Sequence, residues 1–227
     1  IDGEAVGVGH GLFTGPGNAG PAVTWNFTSL IGITPFFLTT SAMPNTTFTS
    51  SFPGADYAVF DGVYNKHYVY SNSSTAYFLN GEVDIAIKVY SNKKKLLKFP
   101  FTYLDGFTDL YEGTWSDIVG QTTTREGSIV VEVDAYGTLI LPYGTVSDVI
   151  RVKSVDTYTD STYFLSSSTV LETVVTNYKW YKEGIRVPIL EISSGFINGV
   201  TPYDQHTTLL SQSVALDLNL IDTPQEV

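Results

Sequence analysis

Residues 137–155 read G-T-L-I-L-P-Y-G-T-V-S-D-V-I-R-V-K-S-V. Leu139 with Leu141, and Ile150 with Val152, fall on alternating faces of extended chain. Pro142 fixes a corner between them without donating a ladder hydrogen bond, and Gly137 and Gly144 supply backbone freedom beside it. The stretch is a strand, a corner and a second strand. It contains no nucleophile, no metal-ligand set and no phosphate-binding loop.

The same period of two runs outward in both directions. Upstream, S-I-V-V-E-V-D after Gly127 puts Ile129, Val131 and Val133 on one face. Downstream, a long strand over 169–182 aligns Val174, Thr176, Tyr178 and Trp180, with Tyr181 opposite. Earlier, Val23, Trp25 and Phe27 share a face, and Y-A-V-F-D, H-Y-V-Y-S and T-A-Y-F-L follow one another as strands. Asn80-Gly81 predicts a two-residue hairpin, because both residues tolerate positive φ. Val83, Ile85, Ile87 and Val89 then predict one continuous strand, and Lys93 to Lys95 a solvated turn. Pro100 predicts an edge or bulge, and Asp105-Gly106 a further turn. No window of helical length combines a cap with apolar residues at i, i+3, i+4 and i+7. The expected fold is mainly β, a large antiparallel, curved sheet, half-barrel or sandwich-like, with little helix.

Residues 1–21 hold seven of the 20 glycines and read as an irregular N-terminal arm. Residues 22–221 then form a single β domain, in which Leu216, Leu218 and Leu220 alternate in a last strand. Residues 222–227 read as a linker stub.

Composition narrows function by exclusion. Twelve basic and 23 acidic residues give a net charge of −11, which repels phosphate backbones and anionic lipid, so nucleic acid is not an expected partner. The absence of cysteine removes disulfides, zinc ribbons and thiol nucleophiles together. No apolar run approaches the roughly 18 residues of a membrane helix, so a soluble protein that is not transmembrane is expected. The start at Ile1 fits a chain whose signal peptide has been removed.

The candidate chemistry is sparse, and no catalytic residue or cofactor is assigned. His10, His67 and His206 are far apart and lack the spacing of a metal-binding helix. The segment S-S-G-F-I-N-G from Ser193 lacks the spacing of a serine nucleophile elbow. Asp105, Asp109, Glu112 and Asp117 lie near Tyr111 and Trp115, as a glycosidase carboxylate pair would, but strand alternation accounts for them as a wet face. Asp156 and Asp160, with hydroxyls between them, are the candidate ligands for a structural Ca²⁺. Tyr64, Tyr68 and Tyr70 are candidates for an aromatic binding surface, against the alternative of cross-strand pairs in the core. Asn45 and Asn72 begin N-glycosylation sequons.

Four ordered motifs carry a resemblance: G-P-A-V-T-W-N-F-T-S-L, F-P-F-T-Y-L-D-G-F-T-D, the stretch from 137 to 153, and Y-K-W-Y-K-E-G-I-R-V-P-I-L-E-I. Together the chain resembles a family of uncharacterised secreted Bacteroidetes proteins. The resemblance implies export by the type IX secretion machinery through a C-terminal sorting domain, for which I-D-T-P-Q-E-V is the expected stub, and residence outside the cell or on the outer-membrane surface. It also makes Ser161, in Asp160-Ser161-Thr162, similar to the O-glycosylation signal of that phylum. The last two motifs more weakly resemble the curved half-barrels of LolA-like lipoprotein carriers, without their plug helix. The expected function is a secreted or cell-surface, non-catalytic β protein acting by binding, adhesion or assembly, through strand addition or a surface glycan or protein partner. The alternatives are carriage of a lipid or other apolar ligand in a half-barrel and, behind that, a glycan-active enzyme.

Overall fold

A computed structural model describes residues 5–12, 14–30, 34–184 and 187–211. Strand accounts for 69% of the chain and helix for 3%, which establishes the mainly β, antiparallel class. In chain order the strands are β1 (Ala5–Leu12), β2 (Gly20–Asn26), β3 (Thr34–Ala42), β4 (Tyr57–Asp61), β5 (Lys66–Asn72), β6 (Ala76–Val83), β7 (Ile87–Lys98), β8 (Gly106–Ser116), β9 (Thr122–Leu141), β10 (Gly144–Phe164), β11 (Ser167–Lys182), β12 (Leu190–Ile197) and β13 (Thr201–Leu210). Two short 3-10 turns, Met43–Asn45 and Thr49–Ser51, interrupt the run between β3 and β4.

The expected curvature goes to completion. Neighbours pair in the order β10-β11-β12-β13-β1-β3-β4-β5-β6-β7-β8-β9, and β10 also pairs with β9, so twelve antiparallel strands close into a barrel. Closure satisfies the ladder groups that an open sheet would leave at its edges. The thirteenth strand, β2, lies outside this ring. It runs parallel to residues 135–140 of β9, beyond the 122–132 segment that β8 occupies. Gly137 makes this possible through close approach, since a Cβ there would overlap the Val23 carbonyl.

Several local expectations are overturned. The glycine-rich segment read as an irregular arm contributes β1, paired between β13 and β3. Its A-V-G-V-G-H-G-L does alternate, but glycine supplies one face, so a search for apolar periodicity passes over it. Asn80-Gly81 does not turn. It sits inside β6 at a register shift, and Gly81 is required there because a Cβ would overlap the Lys88 carbonyl. The reversal comes three residues later, at Asp84, where the carboxylate accepts hydrogen bonds from the Ala86 amide (3.1 Å) and Lys88 (2.6 Å). That turn breaks the strand expected through Val83 to Val89. Lys93 to Lys95 lie inside β7 rather than at a turn. The proposed last strand over Leu216 to Leu220 and the stub 222–227 lie outside the described residues.

The wall is packed on both faces. On the outer face, Trp25 and Phe27 meet Trp180 edge to face at 5.7 and 5.6 Å, over Leu139, Val149 and Leu190. Met43, Phe48 and Phe52 cover Ala58 and Val69 in the same way. The shared face of Val23, Trp25 and Phe27 and the Pro142 corner between β9 and β10 are as the sequence predicts.

Candidate functional site

The inner face is identified by contacts between ring strands that are not neighbours; β2, which lies outside the ring, reaches Trp180 across β9 and β10 on the opposite face. Lys94 of β7 reaches Asp156 of β10 at 2.7 Å, and Tyr111 of β8 donates to the other oxygen of the same carboxylate at 2.7 Å. Arg125 of β9 forms two 2.7 Å hydrogen bonds with Asp160, lies 3.8 Å from Glu82 of β6, and stacks 3.9 Å over the Tyr158 ring. Glu82 also accepts from Lys66 at 2.9 Å and from Tyr90 at 2.8 Å. Tyr57, Tyr70 and Tyr77 form an aromatic run beside this network, closed by a 2.9 Å bond from the Tyr57 hydroxyl to that of Tyr77.

Strand alternation produces this arrangement. Asp156, Tyr158 and Asp160 are every second residue of β10, and the intervening Thr157 and Thr159 face outward. The two acids offered by the sequence as Ca²⁺ ligands therefore line the interior. Burial by itself would raise the Glu82 carboxyl, but Lys66, Arg125, the Lys66 hydrogen bond and Lys94 together hold it at about 2. Burial pushes the Tyr111 and Tyr90 phenols well above their ordinary value, aided by the neighbouring carboxylates. The interior is thus a set of mutually compensated ions and neutral phenols. Its chemical consequence is a stiff, cross-linked lumen with its proton acceptors already engaged.

The residues singled out from sequence scatter across this frame. Asp156 and Asp160, the candidate Ca²⁺ ligands, share the inner face of β10, but Lys94 and Arg125 hold them, and a cation would have to displace both. Among the described residues, no three of His, Asp and Glu gather into a metal-binding group. Tyr68 and Tyr70 turn into the barrel and pack with Leu79 and Tyr90, so they form no surface platform with Tyr64. Tyr64 is exposed at a turn, its hydroxyl 3.1 Å from His206 Nδ1. His67 lies on the outer face of β5 against Phe48 and Phe60, where burial lowers its pKa. Asp105 caps its own turn through Thr102, Asp117 accepts from Val119 and Gln121, Asp109 accepts from the Lys95 amide, and Glu112 is exposed. These four acids are each engaged locally or face solvent. Asn45 and Asn72 are exposed and Ser161 is half-buried.

A feature missed in the sequence lies at one end of the barrel. Consecutive antiparallel strands bring the β4–β5, β6–β7, β8–β9, β10–β11 and β12–β13 connections to the same rim. Each presents an exposed aliphatic side chain: Val63 (43%), Ile85 (78%), Ile118 (89%), Leu165 (94%) and Val200 (79%). At the other rim, the described exposed large apolar residues are Phe99 and Leu104, both in the single β7–β8 connection. Position within a turn, rather than residue type, makes the signal visible. The outer wall between the rims carries exposed Glu112, Glu126, Glu132 and Glu172 together with exposed Phe37, Leu110, Val130 and Tyr136.

No family model, curated protein or solved structure matches the chain.

Proposed function

We propose that the protein acts outside the cell as a non-catalytic binding module, in which the closed barrel is a rigid body presenting the apolar hairpin tips of one rim to a partner surface. The observation that carries this reading is the partition of chemistry. The interior charges are paired with one another, whereas exposed aliphatic side chains occupy five of the six connections of a single rim, the sixth being the β1-to-β3 connection that contains β2. Soluble domains scatter single exposed apolar residues; here five aliphatic ones sit at the turns of one rim. Secretion, type IX export and surface residence rest on the sequence resemblance. Carriage of an apolar ligand draws no support from the lumen, which is crossed by the Lys94–Asp156 and Arg125–Glu82 contacts.

The test uses beads coated with the protein and beads coated with an Ile118→Ser, Leu165→Ser, Val200→Ser variant, applied to cell-envelope surfaces. Attachment that depends on the three tips is the expected result. Equal attachment by both bead types would remove the rim from the function.

A further inference from the structure

Resting on that reading, we infer that the partner surface is the interfacial region of a zwitterionic lipid bilayer, into which the hairpin tips insert. Two observations converge on this occupant.

The first is the order of side chains along the barrel axis. Leu165 is at the apex of the β10–β11 hairpin, Phe164 and Tyr163 come directly behind it, and the hydroxyls of Thr162 and Ser161 follow. Val63 is likewise followed by Tyr64. An aliphatic apex backed by aromatics and then by hydroxyls matches the polarity gradient from acyl chain to headgroup.

The second is charge. The five connections, 62–65, 84–86, 117–121, 165–166 and 198–200, contain no Lys or Arg. Their two acids are turned back on the turns: Asp84 onto Ala86 and Lys88, Asp117 onto Val119 and Gln121. Nearby Arg125 is committed to Asp160. A rim without free cations, on a chain of charge −11, suits a neutral headgroup and opposes an anionic one.

Leu165 holds φ +54 in a two-residue turn between Phe164 and Ser167, and Leu104 on the opposite rim holds φ +70 and is 78% exposed, so backbone strain accompanies exposed leucine at both rims and the choice of rim rests on side-chain order and charge. Separate tips spread around a barrel also match a flat fluid surface better than the fixed relief of a protein.

The experiment is cosedimentation of the whole chain with phosphatidylcholine vesicles. The wild type is expected to pellet with the vesicles. Ile118→Asp with Leu165→Asp should reduce the bound fraction at least tenfold at equal vesicle concentration, with unchanged circular dichroism. Leu104→Asp, on the opposite rim, should leave binding intact, and replacing a third of the lipid with phosphatidylglycerol should weaken it. Wild-type protein remaining in the supernatant would overturn the inference, as would equal loss from Leu104→Asp. Concentration-dependent dimers in light scattering, abolished by the double substitution without vesicle binding, would assign the rim to a second copy instead. If vesicles fail but tip-dependent bead attachment persists, the binding-module reading stands and the bilayer falls. If both fail, both fall.

Discussion

Arg151 and Asp134 face each other at the bulge between β10 and β9 through two hydrogen bonds of 2.8 Å, Nε to Oδ1 and Nη2 to Oδ2. The same guanidinium donates through Nη1 to the carbonyls of Pro16 (2.7 Å) and Gly17 (3.2 Å) and lies against Trp25, Tyr178 and Trp180. With only 1% of its surface exposed, Arg151 pins the segment ahead of β2 to the outer wall. Arg151→Lys cannot reproduce the fork, and Arg151→Ala leaves Asp134 unpaired. Arg151→Ala should lower stability by about 3–5 kcal/mol and Arg151→Lys by less, read from denaturant midpoints. Limited proteolysis should show new cleavage at residues 14–20.

Glu82 predicts the acid limb of stability. Its folded pKa of about 2 is below the ordinary 4.5, so its contribution is fully present above pH 4.5 and is lost as pH falls toward 2. That shift corresponds to about 3 kcal/mol. Glu82→Gln should lower stability at pH 7 and flatten the fall between pH 4.5 and 2, measured by urea unfolding across that window.

The β7–β8 seam should be the least protected part of the ring. Its register contains only Tyr90↔Gly113 and Asn92↔Glu112, and side chains replace the missing ladder: Asn92 Nδ2 donates to the Leu110 carbonyl at 2.6 Å, and the Lys95 amide to Asp109 at 2.7 Å. Amides of β8 facing this seam should exchange faster than those of the fully paired β10–β11 ladder. Asp109→Ala should speed exchange at Lys95 and lower stability by about 1–2 kcal/mol.

Gly127 sits directly opposite Tyr111, and a Cβ there would overlap its ring. The ring cannot retreat without breaking the Tyr111 bond to Asp156 and the Lys94 contact, 4.3 Å from its centroid. Gly127→Ala should therefore cost about 1–3 kcal/mol, despite alanine's lower chain entropy. Asp156→Asn with Gly127→Ala should be non-additive in a double-mutant cycle, because both act on one ring.

Leu165→Asn should stabilise the protein by about 1 kcal/mol by relieving the left-handed backbone at the turn. For a chain of this size, the expected rise in Tm is about 2–4 °C. The same substitution should weaken vesicle binding, so stability and binding would move in opposite directions.

What the sequence determined alone is the class and most of the strands. Alternation of β-branched and aromatic residues and the Pro142 corner follow from a period set by a single strand, so they can be read locally. The faces of Asp156 and Asp160 could not, because alternation separates two faces without saying which one becomes the lumen. Asn80-Gly81 misled for a related reason: its tolerance of unusual backbone serves a bulge as well as a turn, and only the pairing of β6 with β7 selects between them. Closure itself, which put Asp156 and Asp160 into an interior ion network and gathered separate turns at one rim, depends on β1 (Ala5–Leu12) pairing with β13 (Thr201–Leu210), since every other ring contact except β1–β3 is a hairpin between consecutive strands. That is a long-range geometric condition, and tertiary structure alone decides it.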